Sequence, residues 1–308
     1  MKKTVNKYIL ILTAIFVFAC KNDAKKDENA KLNVVTTTTM LTDLIGNIGG
    51  DAIEVQGLMG SGVDPHLYKA SEGDVSKLFN ADVVFYNGLH LEGKLVEVFE
   101  KMEGRNVKTV ALADAVDEAK LIGSEYFASN YDPHIWFNIS FWKKMTAFAV
   151  EKLKEADPKN ATLFEENGKK YLESLNVLDT DIRQIIQGLP AEKRILVTAH
   201  DAFNYFGQDF GFEVVGLQGL STATEAGVQD VQELAKFIIE KKVKAIFVES
   251  SVPKRTIEAL QASIRSKGHE VTIGGILYSD ALGNKGTVEG TYTGMFRYNV
   301  NTIVGALK

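Results

Sequence analysis

The 308-residue sequence predicts an α/β protein: two similar α/β lobes with mostly parallel sheets, joined by one long helix. Three observations lead there. From Leu32 onward, short β-rich runs alternate with helical stretches, the rhythm of strands laid parallel by helical crossovers. Near Asp157 the rhythm gives way to one uninterrupted helical stripe, and at Arg194 it resumes. The chain is also long enough to bury two cores of ordinary size.

The elements follow in order. Residues 32–38 read as a strand, 40–48 as a helix and 53–59 as a second strand. A helix over 71–80 precedes a buried strand over 82–87, marked by the continuous Val83-Val84-Phe85-Tyr86. A helix over 92–102 and a strand over 107–112 complete the first set, and an amphipathic stretch starts near Ser140. Asp157-Pro158 opens the long helix, a capping side chain followed by proline at the first helical position. Phe164, Tyr171, Leu175, Leu178, Ile182 and Ile185 then recur at helical spacing until Gly188-Leu189-Pro190 ends it. That is about 40 Å at 1.5 Å per residue. Strands over 194–198, 213–217, 245–249 and 270–273 alternate with helices over 202–210, 228–242, 253–267 and 289–307. The lobes are therefore expected at 32–156 and 190–308, with 157–189 as the link.

The start of the chain is a separate matter. Lys2, Lys3 and Lys7 precede an apolar run from Tyr8 to Ala19, the pattern of a secretory leader over 1–19. The run is short for a membrane span. It ends at Cys20, the only cysteine, in a Val17-Phe18-Ala19-Cys20 context that resembles the lipobox of bacterial lipoproteins. That resemblance implies cleavage before Cys20 and a lipid on its sulfur. Residues 20–31 are polar and charged, the composition of a tether. A lone cysteine excludes an intrachain disulfide framework and a cysteine-rich zinc site. Loss of the leader removes three lysines and no acid, so the formal charge moves from −5 to −8. An acidic body suits cations better than nucleic acid.

The chemistry lies in the histidines. The chain has five, and two occupy the same rare tripeptide, Asp64-Pro65-His66 and Asp132-Pro133-His134. Proline restricts the backbone beside each imidazole. The aspartate two residues earlier can accept the ring N–H, which a metal-binding histidine needs. An aromatic residue follows each, Tyr68 and Trp136. His200 ends a predicted strand, where α/β folds gather their ligands. Taken alone, His200 reads equally well as a satisfied strand-end residue. Asp280, in Ser279-Asp280-Ala281-Leu282-Gly283 after the last strand, reads alone as a turn aspartate. Together, three imidazoles and one carboxylate suit Zn²⁺, and Mn²⁺ if both carboxylate oxygens bind. His90 reads as a loop residue, His269 as exposed, and Glu225 as a helix-start residue.

Six segments resemble the solute-binding lipoproteins of zinc and manganese ABC importers, the TroA/ZnuA-like family. They are Gly62-Val63-Asp64-Pro65-His66-Leu67-Tyr68, Asn87-Gly88-Leu89-His90-Leu91-Glu92, Asp132-Pro133-His134-Ile135-Trp136, Thr198-Ala199-His200-Asp201-Ala202-Phe203, Leu217-Gln218-Gly219 and Ser279-Asp280-Ala281-Leu282-Gly283. The resemblance implies a rigid linking helix and a metal buried between the lobes, held by His66, His134, His200 and Asp280. It further implies a monomer, anchored by lipid outside the inner membrane, that delivers its ion to an ABC permease and that permease's ATPase. Residues 114–130 lack the histidine-rich loop of many zinc-specialised members, and His200 stands where some manganese-specialised members have glutamate. Two rivals remain at this point. A secreted zinc hydrolase would need a general base, yet the chain has no His-Glu-x-x-His segment. A surface adhesin would need an exposed apolar or aromatic patch.

Overall fold

The computed structural model describes residues 30–103, 107–125 and 127–308. The leader, Cys20 and the tether as far as residue 29 lie outside them. The first set of strands forms one parallel four-stranded sheet in the order β2-β1-β3-β4, from Leu32–Thr36 (β1), Ile53–Gly57 (β2), Val83–Tyr86 (β3) and Lys108–Ala111 (β4). The order reverses at β1, so the crevice beyond its carboxyl end is where such sheets bind ligands. Helices Thr39–Gly49 (α1), Glu72–Asn80 (α2) and Val96–Glu103 (α3) make the crossovers. The helix predicted from Glu92 starts later, after a tight turn over Gly93–Leu95, because the Glu92 carboxylate is engaged with the backbone of Asn87 and Gly88.

Helix α4 (Ile139–Ala156) is capped by Asn138, and α5 is the long helix, Ala161–Gln187. Pro158–Asn160 is a single tight turn ahead of it. The Asp157 carboxylate takes the Asn160 side-chain amide at 2.6 Å, so the predicted backbone cap is absent. The buried stripe of α5 is Phe164, Gly168, Tyr171, Leu175, Leu178, Ile182 and Ile186. Gly168 lets α4 approach, since a Cβ there would meet Val150. Ile185 sits at the margin and Ile186 takes the buried place.

The second set forms two parallel pairs. Ile195–His200 (β5) pairs with Glu213–Gln218 (β6), and Ala245–Glu249 (β7) with Thr272–Leu277 (β8). The helices are Asn204–Phe210 (α6), Val228–Lys241 (α7), Arg255–Ser266 (α8) and Tyr292–Leu307 (α9). The last strand runs beyond the predicted 273, through Gly274 and Gly275. The strand continues through them, but the pairing with β7 shifts register there, leaving both glycines opposite Phe247. A Cβ on Gly274 would strike Phe247 and Ala306, so the pair lets α9 lie against the sheet.

One apolar core passes through both halves and includes residues of α1, α4, α5 and α9. At its centre Trp142 stacks on Tyr292, with ring centroids 4.5 Å apart, and donates its indole N–H to Tyr171. Asp43 on α1 accepts the amide of Tyr292 at the start of α9. Smaller cores lie beneath α7 and α8 and beneath α2 and α3.

Candidate metal centre

The four predicted residues all leave the carboxyl ends of strands. His66 lies in the loop after β2, His134 in the long connection after β4, His200 is the last residue of β5, and Asp280 follows β8. All four side chains are buried. One ligand-type atom from each lies within 4.8 Å of the other three. His66 Nε2 is 3.3 Å from His134 Nε2, His134 Nε2 is 3.6 Å from Asp280 Oδ1, and His200 Nε2 is 3.2 Å from Asp280 Oδ2. A tetrahedral ion with bonds of about 2.1 Å separates its ligands by roughly 3.4 Å. The donor set therefore matches a first-row divalent cation in size, and both carboxylate oxygens face the imidazoles. His200 Nε2 and Asp280 Oδ1 are buried without a hydrogen-bond partner, which is the condition a shared cation relieves.

Each imidazole is oriented differently. Asp132 Oδ1 accepts both the backbone N–H of His134 at 2.9 Å and contacts its ring Nδ1 at 2.7 Å. Asp132 is itself held from the second half, by Asn204 on Oδ2 and by Tyr205 on its carbonyl. The first Asp-Pro-His copy departs from this. Asp64 Oδ1 takes only the backbone N–H of His66, at 2.8 Å, and Oδ2 takes the Thr222 hydroxyl. His200 is paired with Glu249, at the end of β7: Oε1 accepts the His200 amide at 2.8 Å, and Oε2 approaches Nδ1 to 2.5 Å. Sequence reasoning read Glu249 only as a strand end. A lone acid closing the buried apolar run Ala-Ile-Phe-Val was the available signal.

Electrostatics divide the ligands. Burial holds the His66 ring well below the usual range, at about 3, against the opposing charge of Asp280. Burial would lower His200 too, but the Asp280 and Glu249 carboxylates outweigh it and raise that ring well above the usual range. Burial would raise Asp280, and the His200 charge and contact hold it low instead.

The aromatic followers also part company. Trp136 is buried against the His134 ring, with centroids 5.2 Å apart, and donates to the Ser279 carbonyl beside Asp280. Tyr68 donates to the Asp74 carboxylate and to the Leu58 carbonyl. The Asp280 loop is bonded to the first half again where the Leu282 amide meets Thr39 Oγ1 at 2.7 Å. His90 is an exposed loop residue. Glu225 is exposed and paired with Arg255, away from the ligand set. His269, expected to be exposed, is half-buried with Nε2 enclosed, because it lies between the end of α8 and β8.

A family profile, ZnuA or zinc-uptake complex component A periplasmic, matches residues 34–306. The chain belongs to the ZnuA family. Among relatives, it is 47% identical to the manganese-binding lipoprotein MntA of Bacillus subtilis, across the whole of both chains. It is also 47% identical to the zinc-binding protein TroA of Treponema pallidum, over 89% of this chain and 88% of that one. The solved TroA structure superposes with a TM-score of 0.88, covering 90% of this chain and 99% of TroA. The manganese ABC transporter lipoprotein PsaA of Streptococcus pneumoniae is 32% identical across essentially both lengths. MntA and TroA are named for binding manganese and zinc and PsaA as the substrate-binding lipoprotein of an ABC transporter, and neither the hydrolase nor the adhesin reading gains support from these relatives.

Proposed function

We propose that this chain is the extracytoplasmic binding component of an ABC importer for a divalent metal, Zn²⁺ or Mn²⁺. His66 and His134 from the first lobe, with His200 and Asp280 from the second, are its ligands. The observation that carries this reading is the convergence of four buried donors within 4.8 Å, two of their polar atoms otherwise unpartnered. We take the lobes as 32–156 and 190–308, with 157–189 linking them. Lipidation at Cys20 keeps the monomer near its permease and ATPase. Among the described residues no helix is long and apolar enough to cross a membrane. The ligand types suit either ion, and two relatives of equal identity carry zinc and manganese in their names.

The cycle needs only what these residues supply. Asp132 and Glu249 hold two imidazoles in a fixed orientation, so little ordering remains when the ion arrives. Imidazoles must be neutral to bind, so affinity falls as pH drops. Release requires Asp280 to withdraw, and two bonds to the opposite half hold its loop, one from Trp136 and one to Thr39. Calorimetric titration of metal-stripped protein with Zn²⁺ and with Mn²⁺ is the test. His66→Ala and Asp280→Ala are each expected to weaken binding by at least about a hundredfold. Wild-type affinity in both variants would refute the ligand set.

A further inference from the structure

Glu92 is a carboxylate sealed inside the first half, 2% exposed, and among the described residues it makes no ion pair. Its oxygens are instead taken by three donors from two strand ends. Oε1 accepts the Thr37 hydroxyl at 2.6 Å and the Asn87 amide at 2.8 Å, and Oε2 accepts the Gly88 amide at 3.3 Å. Thr37 follows β1, and Asn87 and Gly88 follow β3. The turn so gripped is unusual. Gly88, Leu89 and His90 carry φ of 89°, 50° and 62°, three successive residues in the left-handed region, two of them not glycine. Such backbone persists only where its surroundings over-determine it, and it gathers at functional sites.

What the turn presents is the Asn87 side chain. It is buried, and its amide nitrogen donates to the carbonyl of Pro133 at 3.0 Å and to that of Gly88 at 3.1 Å. Pro133 immediately precedes His134. The Asn87 carbonyl also accepts the Ala113 amide, at the start of the connection that leads to His134. Asp132 orients the His134 ring and is held by Asn204 and Tyr205 from the second half, so it cannot fix that segment against the first-half sheet. Asn87 can, and Glu92 sets Asn87.

We propose that Glu92 and Asn87 are positioning residues for the metal centre, acting through the Pro133 carbonyl on the placement of His134. The proposal rests on the metal-binding reading above. Residues outside the ligand set that orient metal ligands are commonly worth about 10–100-fold in metal affinity.

The test uses Asn87→Asp, which keeps the side-chain shape, removes the donor and faces Pro133 with an acceptor. Thr37→Val frees the Glu92 carboxylate while leaving Asn87 in place. Leu153→Ala, remote from the site, supplies a purely destabilising control. Metal-stripped proteins are titrated with Zn²⁺, and with Co²⁺ as a probe whose visible absorption reports ligand geometry. Asn87→Asp is expected to weaken Zn²⁺ binding about tenfold or more and to alter the Co²⁺ spectrum. Thr37→Val should do the same to a smaller degree, and the double variant should lose less than the two changes combined. Leu153→Ala should lower the melting temperature without altering the spectrum. A wild-type Zn²⁺ affinity and Co²⁺ spectrum in Asn87→Asp would overturn the proposal. So would losses that merely track melting temperature, as in Leu153→Ala. If Asn87→Asp does not fold, Thr37→Val decides on the same criteria. Wild-type protein that takes up neither ion would sink the metal-binding reading itself, whereas normal uptake beside an indifferent Asn87→Asp removes only this role.

Discussion

Asp132 and Glu249 explain why His134 and His200 point where they do, and Asp74, beside the His66 segment, gives a pH signature. Asp74 closes a capping box with Ser71 at the start of α2 and also accepts the Tyr68 hydroxyl, two residues beyond His66. Burial would raise its carboxyl, but hydrogen bonds from Ser71, Tyr68 and Lys77 outweigh that and hold it at about 2. Its folded value lies below the roughly 3.9 of an unfolded aspartate. The stabilisation is therefore complete above that unfolded value and is lost as pH falls toward 2. Asp74→Asn should lower the urea midpoint at pH 7 and flatten its dependence between pH 4 and pH 2. An unchanged acid slope would contradict this. At this scale the sequence was uneven. The repeated Asp-Pro-His named His66 and His134, but the shared motif concealed two different uses of the aspartate. Asp132 reaches its own imidazole, and Asp64 reaches across to Thr222. Glu249 escaped because its partner lies 49 residues away, and Glu92 because the Pro133 carbonyl that its turn serves, through Asn87, is distant in sequence.

Among the elements, α5 was the most legible, because spacing alone fixes the buried face of a long helix. Its limits were set by less visible chemistry: Asp157 spends its carboxylate on Asn160, and Gly168 counts as core only once Val150 is seen opposite. Strand β8 was expected only as far as 273, and its continuation through Gly274 and Gly275 shows only once α9 is seen against the sheet. Leu175 lies at mid-helix with no exposed surface. Leu175→Ala should cost about 2–5 kcal/mol by cavity formation. Chemical denaturation measures it, and a loss below about 1 kcal/mol would mean that α5 is not packed as described. Metal affinity in this variant should stay within a few-fold of wild type, since α5 contributes no ligand.

For the whole molecule, alternation of strand and helix foretold the α/β class and the convergence of strand ends, but not how fully the halves merge. Sequence patterns report which face of an element is apolar and are silent on which other element covers it. The aromatic residues of α4, α5 and α9 fill one interior, and Asp43 ties α1 to α9 across the middle. Wide rotation of one half against the other would tear that interior open. Small-angle scattering of metal-stripped and Zn²⁺-loaded protein should therefore give radii of gyration within about 1 Å of each other. A larger opening would favour hinge closure over movement of the Asp280 loop.

The continuous interior has a practical corollary for anyone who would dissect the protein. A truncated gene encoding only residues 190–308 would make a polypeptide whose Phe203 and Phe296 have lost the Phe137 ring that packs against both. Such a fragment should clump rather than fold, and so should its complement. Produced in one cell, the two pieces should find each other and rebuild the binding site, which would make a split version of this chain a reporter of encounter between whatever is fused to its pieces.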